Sequence, residues 1–308
     1  MSTLDQRRRP DGRSRDVPAQ LTGWSLRAVV GLVLTGFGLF FAVPIVWLLA
    51  ALTKSGEQLT RRGPFTPGSL HELVRNWQEL RHFQGGVVTH WFLNSVYYSL
   101  AALVLTLLVS VPAGYALATL RFRARRTLLV LTLVVMLMPS TSLVLPIFLE
   151  MNKVGFVGNP LSVILPWSFY PFGVYLTFIY FSTSLPGSLL SAARIDGCNE
   201  FQVFTRIALP LAKPVVALVA FFSFVQNWNN YFLPFVMLPT SDRYPIQVGL
   251  SSLLASTPAF NPSSAGADSL GFPALALATL VSVLPVLVIF LFSQRFLITG
   301  MTAGGIKE

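Results

Sequence analysis

Charge is scarce in this chain: only 11% of its 308 residues are Asp, Glu, Lys or Arg, against roughly 25% in an ordinary soluble domain. A surface solvated on all sides is therefore excluded. Cysteine is nearly absent, and Cys198 alone excludes an intrachain disulfide and any cysteine-based metal cluster. The three histidines, His71, His82 and His90, stand at spacings of eleven and eight. Neither spacing puts two imidazoles on adjacent helix turns, so they read as surface histidines rather than a metal site. The sequence has no G-x-x-x-x-G-K-[ST] loop, which excludes nucleotide binding of the P-loop kind. It also has no H-E-x-x-H and no G-x-S-x-G, which removes the simplest membrane protease and hydrolase readings.

Apolar residues make up 53% of the chain. Crossing about 30 Å of hydrocarbon takes about 20 apolar residues in a helix. Six runs meet that length, at about 27–52, 90–118, 127–149, 161–181, 209–238 and 272–294. No ionisable group sits in the middle of a run: Glu150 falls at the end of the third, and Asp196 and Glu200 lie between the fourth and fifth. A stand-alone secondary transporter usually keeps such a group for ion coupling.

With six spans both ends lie on one side, and that side collects most of the basic residues. They are Arg7, Arg8, Arg9, Arg13, Arg15, Arg27, Arg121, Arg123, Arg125, Arg126, Arg194, Arg206, Lys213, Arg295 and Lys307. The positive-inside rule makes this side cytoplasmic. The same distribution explains the net charge of +10 without nucleic acid, because the basic residues follow membrane edges with no aromatic stacking surface among them. Residues 1–26 form a basic, Pro-containing tail whose composition predicts disorder. The first run is too long for a signal peptide and is expected to be retained.

The polar stretch Ser191–Pro210, SAARIDGCNEFQVFTRIALP, carries the most specific signal. Gly197 is expected to end one short helix in a left-handed turn, and Asn199 to cap a second. In that second helix Phe201, Phe204 and Ala208 recur at spacings of three and four with Ile207 beside them, which predicts one apolar stripe in search of a partner. Taken alone, such a stripe also fits a helix lying on the membrane surface.

This stretch resembles the cytoplasmic coupling loop of type I ABC importer permeases, the EAA motif. That motif is an acid and two alanines, three residues, a glycine, nine residues, then Ile-x-Leu-Pro. Ala192, Ala193, Gly197, Ile207, Leu209 and Pro210 stand at those spacings, while Ser191 replaces the usual glutamate and cannot carry its charge. The resemblance implies that the loop, 188–207, seats on an ATPase subunit, with Arg194, Asp196, Phe201 and Phe204 among the residues at that contact. A second likeness lies at the end of the chain, where Gln294 to Lys307 resembles the tail of carbohydrate-importer permeases. It moves the implied solute towards sugars.

The fifth run ends in Gln226-Asn227-Trp228-Asn229-Asn230-Tyr231-Phe232, the densest group of amides and aromatics in the membrane portion. Amides bond sugar hydroxyls and aromatic faces cover pyranose rings. The same residue types also serve as interfacial anchors and interhelical glue. Gln226, Asn227, Trp228, Asn229 and Asn230 are therefore candidate substrate-path residues, with Asn94 from the WFLNS segment that opens the second run and looks like its counterpart in sugar permeases. Recurrent prolines, Pro112, Pro139, Pro146, Pro166, Pro171, Pro210, Pro214 and Pro234, predict kinked or broken helices around a cavity.

The expected architecture is an all-α polytopic membrane protein with six transmembrane helices. It divides into a tail, 1–26, a first helix, 27–52, an extracytoplasmic segment, 53–89, a five-helix transmembrane domain, 90–294, and a cytoplasmic end, 295–308. The resemblance implies a sugar-importing permease subunit that is not itself an enzyme. Its implied partners are an ATPase dimer carrying ATP and magnesium, a second permease and an extracytoplasmic solute-binding protein, with no cofactor in this chain. A permease for another solute, or a non-transporting membrane scaffold, remain the alternatives.

Overall fold

A computed structural model describes the backbone of residues 18–266 and 269–302, and the side chains of 26–266 and 269–294. Every regular element among the described residues is helical. In chain order they are α1 (Pro18–Ala51), α2 (Gly56–Arg61), α3 (Leu70–His82), α4 (Val87–Thr119), α5 (Arg125–Met136), α6 (Val144–Lys153), α7 (Leu161–Ser168), α8 (Pro171–Thr183), α9 (Gly187–Ile195) and α10 (Glu200–Val203). A π turn, Phe204–Ala208, leads into α11 (Leu209–Leu211), followed by α12 (Lys213–Trp228), α13 (Phe232–Met237), α14 (Ile246–Ala255) and α15 (Phe272–Thr302). Among the described residues four helical segments are long and apolar enough to cross a membrane, and up to six if each of two bent pairs counts as one span. The second signature, Gln294 to Lys307, falls almost wholly outside the residues whose side chains are described.

Helix α4 is the spine. At 1.5 Å per residue its 33 residues extend about 50 Å, and it contributes to all three apolar clusters of the interior. Trp91 belongs to the cluster with Leu80, Trp228 and Ala274; Tyr98 and Ala102 to that with Val163, Leu233 and Met237; Val111 and Tyr115 to that with Phe181, Val203 and Val219. The face it buries is a line of small residues, Ser95, Ser99, Ala102, Thr106, Ser110 and Gly114, at spacings of three and four. Small side chains let helices approach closely where lipid offers no hydrophobic drive for association. The opposite face, with Leu93, Tyr97, Leu100, Val104 and Leu108, is exposed, as suits a flank solvated by acyl chains.

At the N-terminal end of α4 the 52–86 segment forms a folded cap. The Asn76 amide donates to the carbonyls of Leu52 and Lys54 at 2.9 and 3.0 Å, and the fully buried Lys54 ammonium donates to those of Gly63 and Pro64 at 2.8 and 3.2 Å. Four residues on three successive turns of α4 then fasten the segment after α13. Trp91 Nε1 donates to Ser241 O (2.6 Å), Asn94 Nδ2 to Asp242 O (2.8 Å), and Tyr98 OH to Arg243 O (2.9 Å), while Ser95 Oγ accepts from the Ile246 amide (2.7 Å). Asn94, expected on the substrate path, is thus a backbone staple.

Three expected spans are interrupted, the run 161–181 only briefly, at Phe169–Tyr170 between α7 and α8. The run 127–149 breaks between α5 and Ser140–Lys153 with a 104° bend, where Pro139 removes a donor and restricts Met138. The run 209–238 is not one helix: α12 ends at Trp228, the backbone turns through Asn229–Tyr231, and α13 is a separate short helix. Helix α14, with ten residues too short to register as a span, packs between α4 and α15 with Ile246, Val248 and Leu253 buried. Its Gly249 lies flat against the Trp91 indole, with no room for a Cβ.

Candidate functional site: the coupling loop and the cleft at the helix breaks

The loop between α8 and α12 has the anticipated two-helix form. Helix α9 closes in a Schellman turn: the Cys198 amide donates to Ala193 O at 3.0 Å, the Gly197 amide to Arg194 O at 3.2 Å, and Gly197 takes φ +84°. Asn199 then caps α10 in a reciprocal box, its Oδ1 accepting from the Gln202 amide at 2.9 Å while Gln202 Oε1 accepts from the Asn199 amide at 3.0 Å. Ser191, in the place of the acid, is exposed and donates back to Gly187 O at 3.0 Å inside α9.

The expected apolar stripe is divided. Phe204 turns into the bundle, its ring 5.0 Å from that of Tyr115, and Ala208 is fully buried, whereas Phe201 is 74% exposed. A π turn follows, from Phe204 to Ala208. The Leu209 amide reaches past Thr205 to Phe204 O, a widening that accommodates Pro210, whose ring in a regular helix would clash with the carbonyl four residues back. Ile195, on the other arm of the loop, is likewise apolar and 85% exposed. Sequence reading passed over it, although Leu189, Ala192 and Ile195 recur every three residues.

Arg194 joins the two arms. Its Nε and Nη2 donate to Glu200 Oε1 and Oε2 at 2.7 and 3.2 Å, and Tyr115 OH donates to Oε2 at 3.4 Å, tying the loop to α4. The hydrogen bond from Arg194 holds the Glu200 carboxyl below its ordinary pKa, against a smaller opposing effect of burial. The stabilisation is therefore present above the unfolded pKa and is lost as pH falls through the lowered folded one. Both side chains are more than a third exposed, so the pair contributes no more than about 1 kcal/mol. Its role is positional.

At the helix breaks lies the second element of the site. A cleft of about 700 Å³ is walled by Met138, Leu143, Glu150, Pro166 and Phe169, and a second of about 550 Å³ by Thr141, Asn229, Asn230, Tyr231 and Phe232. Ser140, Trp167 and Gln226 line both. The breaks after α5, α7 and α12 thus converge, the arrangement in which membrane transporters expose unwound backbone and polar side chains to a solute. Of the candidate path residues, Gln226, Asn229 and Asn230 line this space. Asn227 instead lines a small void with Ser95 and Asn230, its Nδ2 donating to Ser223 O at 2.8 Å. Trp228 lines neither cleft: it is buried, stacked on Phe224 at 5.6 Å, and donates to Ser282 O at 2.9 Å. Trp167 went unmarked in the sequence, where only the flanking Pro166 and Pro171 pointed to its position.

A bundle of broken apolar helices around a cleft, with a two-helix loop at one end, is the architecture of a membrane permease. Residues 110–303 match the model of the binding-protein-dependent transport system inner membrane component family. The chain belongs to that family, as the multi-pass, non-catalytic permease subunit of an ABC transporter in the inner membrane. It is 35% identical to the arabinooligosaccharide transport system permease of Halalkalibacterium halodurans, over 87% of this chain and 92% of that one. To the galactooligosaccharide permease of Bacillus subtilis it is 30% identical, over 90% and 94%. Its fold is similar to a chain of a bacterial ABC transporter that imports the acidic polysaccharide alginate, with a TM-score of 0.75 and 24% identity over 88% and 96%.

Proposed function

We propose that this permease carries an oligosaccharide into the cell. The similarity to arabino- and galactooligosaccharide permeases along nearly the whole chain is the observation that carries this reading. The distribution of basic residues supports cytoplasmic termini and a cytoplasmic loop; the 52–86 cap then faces outward, where a solute-binding protein delivers its cargo. A second permease completes the pathway, and an ATPase dimer, which binds ATP with magnesium, drives it.

In this reading Ala192, Ile195 and Phe201 seat in a groove of the ATPase, since exposed apolar side chains anchor interfaces. Phe204, Ile207 and Leu209 join the loop to the core around Tyr115, and the Arg194–Glu200 pair makes the two arms one body. Loop motion then reaches α4 and α8 directly and opens or closes the cleft at the helix breaks. Uptake of labelled neutral oligosaccharides by cells with and without this chain, each with ATP depleted in parallel, tests the reading. ATP-dependent uptake that vanishes with the gene is expected; a panel left unchanged while the partners are still expressed would move the solute outside carbohydrates.

The ionic clasp gives a sharper expectation. Arg194→Glu or Glu200→Arg alone should lower sugar transported per ATP hydrolysed several-fold, because like charges part the arms, and the paired exchange should restore most of the ratio. A double-mutant cycle on that ratio measures it. Additive losses would make the pair incidental.

A further inference from the structure

Among the described residues only three buried side-chain polar atoms lack a hydrogen-bond partner: Glu72 Oε2, Trp167 Nε1 and Asn230 Nδ2. Glu72 Oε2 still faces Arg75 Nη2 at 3.0 Å. The two residues that carry the unpaired donors, Trp167 and Asn230, both line the 550 Å³ cleft, and Asn230 also borders the small void beside Asn227. This fold otherwise satisfies its buried indoles, since Trp91 and Trp228 both donate to carbonyls, at 2.6 and 2.9 Å. Buried donors without acceptors are rare because each forfeits its hydration without return.

Charge at this place is informative as well. No residue lining the 550 Å³ cleft is ionisable apart from Tyr231, and the only charged residue of the larger one, Glu150, is paired with Lys153 at 2.9 Å. A sugar carboxylate entering here would meet no cation, and burying an unpaired carboxylate is strongly unfavourable. Hydroxyl oxygens, by contrast, accept from an indole N–H and an amide without any charge.

We propose that this permease itself holds a neutral sugar in the cleft, with Trp167 Nε1 and Asn230 Nδ2 donating to sugar hydroxyl oxygens and Gln226 on the wall between them. The assignment rests on the oligosaccharide reading above and adds where, and by which chain, the sugar is held. In this conformation both nitrogens are shielded from solvent, so the proposal requires a wider state of the cleft in which they meet the sugar. A solute that satisfies them binds the open state in preference to the covered one, and only such a difference lets a solute shift the equilibrium.

The test uses the complete transporter in cells, with labelled arabinotriose and galactotriose as neutral probes and a uronate-containing trisaccharide as the acidic one. Trp167→Phe keeps an aromatic ring and deletes the donor; Asn230→Leu keeps the approximate size and deletes the amide. Each should raise the KM of neutral-sugar uptake about 3- to 10-fold while co-purification with the other subunits is unchanged. Trp228→Phe, which breaks an interhelical bond, should leave KM unaltered. The unmodified transporter should prefer the neutral probes over the acidic one.

Unchanged KM in both variants, or preference for the uronate, would overturn the proposal. So would loss of co-purification with KM preserved, which would make the second permease the acceptor of these donors. If the unmodified transporter carries neither neutral probe, the oligosaccharide reading fails with it. If it carries one and the variants behave like wild type, only this subsite fails.

Discussion

Gly114→Leu should leave almost no folded permease in the membrane. Gly114 sits where α4 and α8 pack along their lengths, and a Cβ built there overlaps the Thr177 hydroxyl, lies 2.7 Å from Thr177 Cβ and 2.8 Å from the backbone nitrogen of Phe178. A side chain could swing away, but the backbone of a neighbouring helix cannot, so the helices must part. Separation also breaks the bond from Thr177 Oγ1 to Ser110 O at 3.0 Å, which crosses the same contact. Overpacking of this kind costs about 1–3 kcal/mol even where side chains adjust, and here the upper end or more is expected. Gly36→Leu is the control: nothing lies within 4 Å of a Cβ at Gly36, on a helix whose flank is exposed, so the substituted chain should accumulate normally. Membrane-inserted protein that elutes as a single species in mild detergent is the quantity to compare.

The contrast between these two glycines shows where sequence is readable and where it is not. The helical class follows from composition and the period of the apolar runs, and the coupling loop from a glycine, a cap and a proline at fixed spacing. Local backbone chemistry dictates those features: Gly197 takes φ +84° and Asn199 closes its box as their residue types prescribe. Which face a residue shows to its own bundle is decided elsewhere. The amphipathic stripe put Phe201 and Phe204 together, yet positions three apart differ by about 60° around a helix, and the edge of the bundle falls between them. The amide cluster was visible as a composition, yet Asn94 and Trp228 read the same as Asn229 and Asn230. Only tertiary contact separates a side chain that fastens a backbone carbonyl from one that lines a cleft. Helix α14 escaped for a related reason, since a ten-residue apolar helix is shorter than any span and longer than most loops.

Gly197→Val should abolish sugar uptake while leaving assembly with the ATPase dimer and basal ATP hydrolysis largely intact. The position is open: nothing lies within 4 Å of a Cβ there, so the substitution meets no steric obstacle and its whole cost is conformational. At φ +84° an ordinary L-residue loses about 1–2 kcal/mol, and a β-branched one loses more because the left-handed region is least open to it. That energy is comparable to the roughly 1–3 kcal/mol that the two Schellman hydrogen bonds return, so the end of α9 frays and the Asn199 box loosens. The Arg194–Glu200 clasp, worth no more than about 1 kcal/mol at this exposure, does not hold the arms alone. Two arms that move separately dissipate the stroke that Tyr115 and Phe204 would pass to α4. Asn enters the left-handed region with the least penalty among non-glycine residues, so uptake per ATP hydrolysed should fall in the order Gly, Asn, Ala, Val. A flat series would mean that the loop transmits force without this turn, and a series in which co-purification falls in step with uptake would make Gly197 a docking residue rather than the pivot of a lever.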